Sequence, residues 1–294
     1  MRIVFLGLPL AALLLLHDGH QVMLAGLRLG LTFGARRLRR RIGDDAVVID
    51  PHKNWADFGQ RVQLAGPDLL VSWFFTRRIP MHAVHACRLG GLGVHPSLLP
   101  RHRGPDPYFA AIDAGDSVTG VTVHRLDAEY DTGAILAQHT LAIDPSWNAW
   151  QLARALDRPS LLALRETVAR AAQGDQLVGR VQDESLATTA PEPDENDLAL
   201  DWNQPTARIV RRIRALAPCP GAETCVGDVV LRVTEAVNAV SAPPALYVGE
   251  AAILNDVAVV RTADGAIALQ RGEAGGQQLD ASGIAMLVAR CARK

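Results

Sequence analysis

Five short apolar runs, RIVFLG (2–7), QVMLAGL (21–27), AVVID (46–50), DLLVSWFF (68–75) and GLGVH (91–95), are spread over the first hundred residues with helix-like stretches between them. Runs this short and this continuously apolar suit strands buried on both faces. Alternation with helices then points to a parallel sheet covered on each side. PLAALLLLHDGH (9–20) reads as a helix with Pro9 near its start. NWADFGQRVQLAG (54–66) and MHAVHACRLG (81–90) read as two more, the second ending at Gly90, and PYFAAIDAG (107–115) as a short one stopped by Gly115. VTGVTVHRL (118–126) and AILAQHTLAI (134–143) look like a later, antiparallel pair at the sheet edge. The turn after the first strand is GLPLAA (7–12), without the GxGxxG glycines that let a dinucleotide pyrophosphate approach the backbone.

The pattern changes in the second half. Residues 147–174 form a long helical pattern that Pro159 is expected to break or kink. ATTAPEPDENDLALDW (187–202) is rich in Pro, Asp and Glu and lacks periodicity, as a linker would. Beyond it come a basic helix, PTARIVRRIRAL (205–216), and the strand-like pieces AETCVG, VVLRVTEA, AAILNDVAVVRT and AIALQRGEA. TADGAIAL (262–269) carries a hairpin signal in Asp-Gly. ASGIAMLVARCARK (281–294) reads as a terminal helix. The expected fold is α/β: a Rossmann-like, mostly parallel N-terminal sheet domain over 1–185, a linker over 186–204, and a smaller β-barrel-like (OB-like) domain over 205–294.

A net charge of −1 gives no global field to recruit nucleic acid or acidic lipid, so such contacts must come from local patches. Cys87, Cys219, Cys225 and Cys291 show no paired or zinc-like spacing, which suggests reduced thiols and no metal site. The apolar start lacks a signal-peptide cleavage pattern, and no run reaches the length of a membrane span. A cytoplasmic location is expected. Oligomeric state leaves no mark.

His95 ends the fifth strand, where open α/β sheets place their ligands. The loop PSLLPRHRG (96–104) follows, stiffened by Pro96 and Pro100. Downstream, AEYDTGAIL (128–136) sets Asp131 in a short acidic loop before a tight Thr132-Gly133 turn. An imidazole and a carboxylate on neighbouring loops fit general acid–base work. A hydrogen bond that merely staples two loops fits the spacing as well.

HPSLLPRHRG (95–104), AAIDAG (110–115), TGVTVHRLD (119–127) and YDTGAILAQ (130–138) resemble the folate-dependent formyltransferase family, nearest in pattern to its methionyl-tRNA branch. The MRIVFLG start, DLLVSWFFTRRIP and the region from DLALDW to CVGD extend the resemblance over nearly the whole chain. It implies that a neutral amine attacks the formyl carbon of formyltetrahydrofolate. His95 would meet the charge growing on the formyl oxygen, while Asp131 fixes the histidine and helps to manage protons. The family's third member, an asparagine two residues before the histidine, is replaced here by Gly93. Loss of one such donor costs about a hundred- to a thousandfold in rate. Water, Ser97, His102 or a substrate group would have to replace it.

By the same resemblance, WFFTRRIP (73–80) and DAEYDTG (127–133) would hold the folate largely through backbone groups. Trp73, Phe74 and Phe75 would serve as apolar walls, with Asp127, Glu129 and Tyr130 in the facing loop. Sheet core is the competing role for the three aromatics. Ser97, Arg101 and Arg103 belong to the acceptor side. The run Arg36, Arg37, Arg39, Arg40 and Arg41 would grip a tRNA acceptor stem through phosphates, extended by Arg211, Arg212 and Arg214. A solvated helix face or a nucleotide-sugar site accounts for the same charges. Three functions stand open: a formyltransferase acting on methionyl-tRNA, one acting on an amino sugar or other small amine, and a non-catalytic protein that binds folate or an aminoacyl group.

Overall fold

In the computed structural model, residues 1–28, 33–240 and 243–292 are described. The N-terminal elements run β1 (Arg2–Gly7), α1 (Pro9–His17), β2 (Gln21–Leu27), α2 (Ala35–Ile42), β3 (Val47–Ile49), α3 (Trp55–Ala65), β4 (Leu69–Trp73), α4 (Met81–His85), β5 (Gly91–His95), α5 (Pro107–Ala114), β6 (Val118–Arg125), β7 (Ile135–Ala142) and α6 (Ala149–Ala172). The strands form one seven-stranded sheet in the order β3-β2-β1-β4-β5-β6-β7. The first five are parallel, and β6 and β7 add antiparallel at the edge. Every residue of β4 and β5 is buried, Ser72 and His95 among otherwise apolar strands. The order reverses on either side of β1. Trp73 pairs with Val94 at the ends of β4 and β5, so the carboxyl ends of these strands bring residues 73–75 and His95 to one rim of the sheet.

The second sheet is antiparallel. After α7 (Glu195–Leu198) and α8 (Thr206–Leu216) come β8 (Ala222–Val226), β9 (Val229–Asn238), β10 (Ala251–Leu254), β11 (Val257–Arg261), β12 (Ala266–Ala274), β13 (Gln277–Asp280) and α9 (Ala281–Cys291). Strand order is β10-β11-β12-β9-β8, with β13 also on β12. The chain divides into two compact units. One comprises 1–105, 118–142 and 155–189; the other comprises 106–117, 143–154 and 190–294. The second unit therefore takes α5 as well as the C-terminal sheet.

Three local expectations are corrected. Pro159 does not break the long helix: α6 is continuous across it. Leu152, Leu156, Ala163, Leu164 and Val168 are fully buried along the helix, and this packing outweighs one lost backbone bond. AAILNDVAVVRT is two strands, not one, because Asn255 and Asp256 both take positive φ, at 51° and 62°, and close the tight β10–β11 hairpin. The helix over 81–90 is only Met81–His85, with hydrogen-bonded turns carrying the chain to Gly90. Residues 293 and 294 of the expected terminal helix lie outside the described residues.

Candidate active site

His95 is buried at the end of β5 with both ring nitrogens committed. Nε2–H donates to the carbonyl of His102 at 2.8 Å, and Nδ1 faces Asp131 Oδ2 at 3.4 Å. The two residues singled out by their motifs therefore meet. Asp131 has φ 58°, a left-handed conformation that turns its carboxylate back toward the sheet. Gly133 allows the turn to close, since a Cβ there would lie 1.9 Å from the Arg125 carbonyl oxygen. The backbone N–H of Gly104 donates to Asp131 Oδ2 at 3.0 Å, linking the 96–104 loop to the acidic loop.

A second imidazole completes the arrangement. His124 on β6 faces the other carboxylate oxygen, with Nε2 3.5 Å from Asp131 Oδ1, while its Nδ1–H donates to the Arg125 carbonyl at 2.8 Å. Burial pushes the His124 imidazole below its usual value. The Asp131 carboxylate pulls it up, and the nearby His95 adds to the lowering. The space at Gly93 is filled by protein: a Cβ on residue 93 would lie 2.8 Å from His124 Nε2. Neither of the expected side-chain replacements lies free. Ser97 donates its hydroxyl to the Arg101 carbonyl at 2.6 Å and is fully buried; His102 is buried too, and its carbonyl holds His95.

A polar chain supports the Asp131 loop from behind. Gln182 Nε2 donates to the carbonyls of Asp131 and Gly133 at 2.7 and 2.8 Å. Gln182 Oε1 accepts from Arg103, whose guanidinium also clasps Glu184 at 2.7 and 2.8 Å. Arg103, expected on the acceptor side, is thus committed to a structural clasp; Arg101 is exposed. Thr188 fastens the same loop, accepting from the backbone N–H of His102 and of Arg103.

Of the expected folate walls, Trp73 is 1% exposed and donates its indole N–H to Ser160 Oγ, so it is core. Phe74 stacks on it at 4.5 Å and, like Phe75, is half-buried. Asp127, Glu129 and Tyr130 are exposed, and Asp127 shapes their loop by accepting from Thr132 Oγ1 and the Glu129 N–H. Arg78 joins the two segments, bonding the Ala128 carbonyl and lying 3.4 Å from Glu129. On α2, Arg36, Arg37, Arg40 and Arg41 are exposed while Ala35 and Leu38 are buried; Arg39 lies 3.8 Å from Asp44. In the second unit Arg212 is held by Asp113 and Asp197 at 2.8 and 2.9 Å and is not free to extend a patch.

Sequence reasoning missed His124, Gln182, Glu184 and Arg78 as site residues. His124 did carry a signal, an imidazole set among Val, Thr and Gly of its strand; GRVQDES (179–185) carried none.

Residues 50–168 match the family described as formyl transferase, and residues 194–286 match the formyl transferase C-terminal domain. The methionyl-tRNA formyltransferase of Acidobacterium capsulatum is 32% identical over 241 residues, covering 77% of both chains. The chain belongs to the formyl transferase family. Among solved structures, this formyl transferase resembles HypX from Aquifex aeolicus in complex with tetrahydrofolic acid, with TM-score 0.69, 21% identity and 97% of this chain covered. It spans 46% of that longer chain. It also resembles the sugar 3N-formyl transferase WlaRD, with TM-score 0.65 and 14% identity over 94% of this chain and 98% of that one. These last two likenesses establish the fold. Among the described residues, no helix is long and apolar enough to cross a membrane, and no group of His, Cys, Asp and Glu is arranged to hold a metal ion.

Proposed function

We propose that this formyl transferase moves the formyl group of formyltetrahydrofolate to the amine of methionyl-tRNA, with His95 and Asp131 as its chemical centre. The observation that carries this reading is the convergence of the two side chains, 3.4 Å apart, beside the backbone N–H of Gly104. The amine lone pair forms a bond to the formyl carbon, and the carbonyl π electrons move to oxygen. As the carbonyl re-forms, the bond from carbon to the folate nitrogen breaks. The amine loses one proton and the folate nitrogen gains one, so the transfer balances without another reactant. Imidazole and carboxylate serve that proton movement, and the Nε2–H of His95 meets the developing oxyanion in exchange for the His102 carbonyl.

The co-substrate fits the paired segments 73–75 and 127–130. Phe74 and Phe75 supply apolar surface, Trp73 backs them, and Asp127, Glu129 and Tyr130 form the opposite loop. Ser97 and Arg103 hold the acceptor loop in shape, and Arg101 points outward from it. Arg36, Arg37 and Arg40 present the cations for the phosphates of a tRNA acceptor stem. In this reading 1–185 carries the chemistry, and 205–294 follows the linker 186–204 as a second domain.

The test is formyl transfer from formyltetrahydrofolate to methionyl-tRNA, set against amino-sugar nucleotides over a range of salt. Formylation of the tRNA that weakens steeply with salt is expected. Salt-insensitive formylation of a small amine, with none of the tRNA, overturns the acceptor assignment. Binding of tetrahydrofolate with no transfer to any amine overturns the enzymatic reading.

A further inference from the structure

Gly93 and His124 stand directly opposite one another in the antiparallel β5–β6 ladder. Side chains at such paired positions share one face of the sheet and compete for the same volume. Here the competition is one-sided. A Cβ at 93 would lie 2.8 Å from Nε2 and 3.0 Å from Cε1 of His124, and 3.1 Å from Leu126 Cδ2. The ring is 3% exposed and cannot swing aside without giving up its bond to the Arg125 carbonyl. His124 thus occupies the place a side chain at 93 would take, and its inner edge lands on Asp131.

We propose that His124 is a positioning residue of the transfer site. Seated in the room left by Gly93, its Nε2 lies 3.5 Å from Oδ1 of Asp131, while the Gly104 N–H bonds Oδ2 and His95 Nδ1 lies 3.4 Å from it, so the carboxylate is set as in a clamp between two imidazoles. A carboxylate on a loop turns freely about its last torsion when only one oxygen is held. Contacts on both oxygens fix its plane, and with it the direction in which His95 is presented. The Arg125 carbonyl and the Asp131 carboxylate, set against the two ring nitrogens, are both acceptors, so each favours a proton on the nitrogen it faces. This inference rests on the formyl-transfer reading for its kinetic consequence, but not for its geometry.

The test therefore has kinetic and non-kinetic arms. His124→Leu fills the volume without bonding the carboxylate. It should lower kcat about a hundredfold, the loss typical of a misplaced reacting group, and leave KM for formyltetrahydrofolate within about twofold. His124→Gln, which retains a donor, should recover most of that loss. An unchanged kcat in His124→Leu reduces the ring to a space-filler and overturns the proposal. If the native protein transfers no formyl group, the functional reading fails on its own and the remaining arms decide the clamp.

The groups acting on the His124 ring are Asp131, His95, Asp127 and the Arg125 carbonyl. Because the Asp131 carboxylate favours the charged ring, Asp131→Asn should move the His124 titration, followed by proton NMR, to lower pH. An unmoved midpoint overturns the clamp. Gly93→Ala should depress the melting temperature of the native chain but not of a His124→Ala chain. Equal losses in both backgrounds overturn the shared-volume claim.

Discussion

Asp131 has three neighbours on its carboxylate and Gln182 on its carbonyl, so its side-chain direction and its backbone are met by different segments of the chain. Removing the charge while keeping the shape isolates its chemical role. Asp131→Asn should lower kcat about a hundred- to ten-thousandfold, measured as steady-state formyl transfer, with the fold retained by circular dichroism. Gly93→Asn, which on family resemblance alone would restore a missing donor, should instead lower both the melting temperature and the rate, because its Cβ already meets His124. A faster Gly93→Asn enzyme in an otherwise native chain would contradict that packing. His95 and Asp131 were legible in the sequence because each sits in a motif with a strand end or turn beside it. His124 was not, because its part depends on standing opposite Gly93, and strand register cannot be read from one strand at a time. Gln182 holds the Asp131 carbonyl from 51 residues away and Glu184 acts through Arg103 from 81 residues away, and neither leaves a local pattern.

Helix α2 presents Arg36, Arg37, Arg40 and Arg41 to solvent and buries Ala35 and Leu38, and among the described residues Arg39 pairs with Asp44 at 3.8 Å. Reversing Arg36, Arg37 and Arg40 to Glu should weaken tRNA binding and flatten the dependence of log K on log salt, by roughly 0.7–0.9 for each phosphate no longer neutralised. Filter binding at several salt concentrations measures both. Helices α5 and α8 are joined by Asp113, which takes Arg212 at 2.8 Å and Arg208 at 3.3 Å. Asp113→Ala leaves Arg212 with Asp197 alone and takes the carboxylate from Arg208, and should cost about 2 kcal/mol in a denaturant melt. Element identity followed the apolar pattern wherever a run was long. It failed where a distant packing partner or a turn decided the outcome: Pro159 stays inside α6 because of the buried leucines around it, and Asn255-Asp256 divides what composition shows as one run.

At the level of the whole molecule, the two-part architecture was readable because the strand pattern changes from continuous and apolar to short and alternating across the acidic stretch 187–202. That α5 groups with the C-terminal sheet was not readable, since it follows from tertiary packing and not from any shift in composition. Two imidazoles tie global stability to pH. Burial holds His124 and His20 below the usual imidazole value, so the folded chain favours their neutral forms. Once the pH drops below about 6.5, the unfolded chain takes up protons that the folded chain resists, and stability falls; above that value this contribution is fully present. Melting temperatures between pH 8 and pH 5 should therefore decline on the acid side, and less so in His124→Gln. Cys87 is set apart from the other thiols in the same way: burial pushes it up to about 12, whereas Cys219 and Cys225 are exposed. Iodoacetamide at pH 8 should label the latter pair and spare Cys87 until the chain unfolds.

The facing of Gly93 by His124 also makes the site's history directional. With the ring in place, any larger residue at 93 passes through a crowded, weakened protein, and with the ring removed first the carboxylate loses a support. A larger residue at 93 alone crowds the ring and loss of the ring alone frees the carboxylate, so a change at either position is felt at the other.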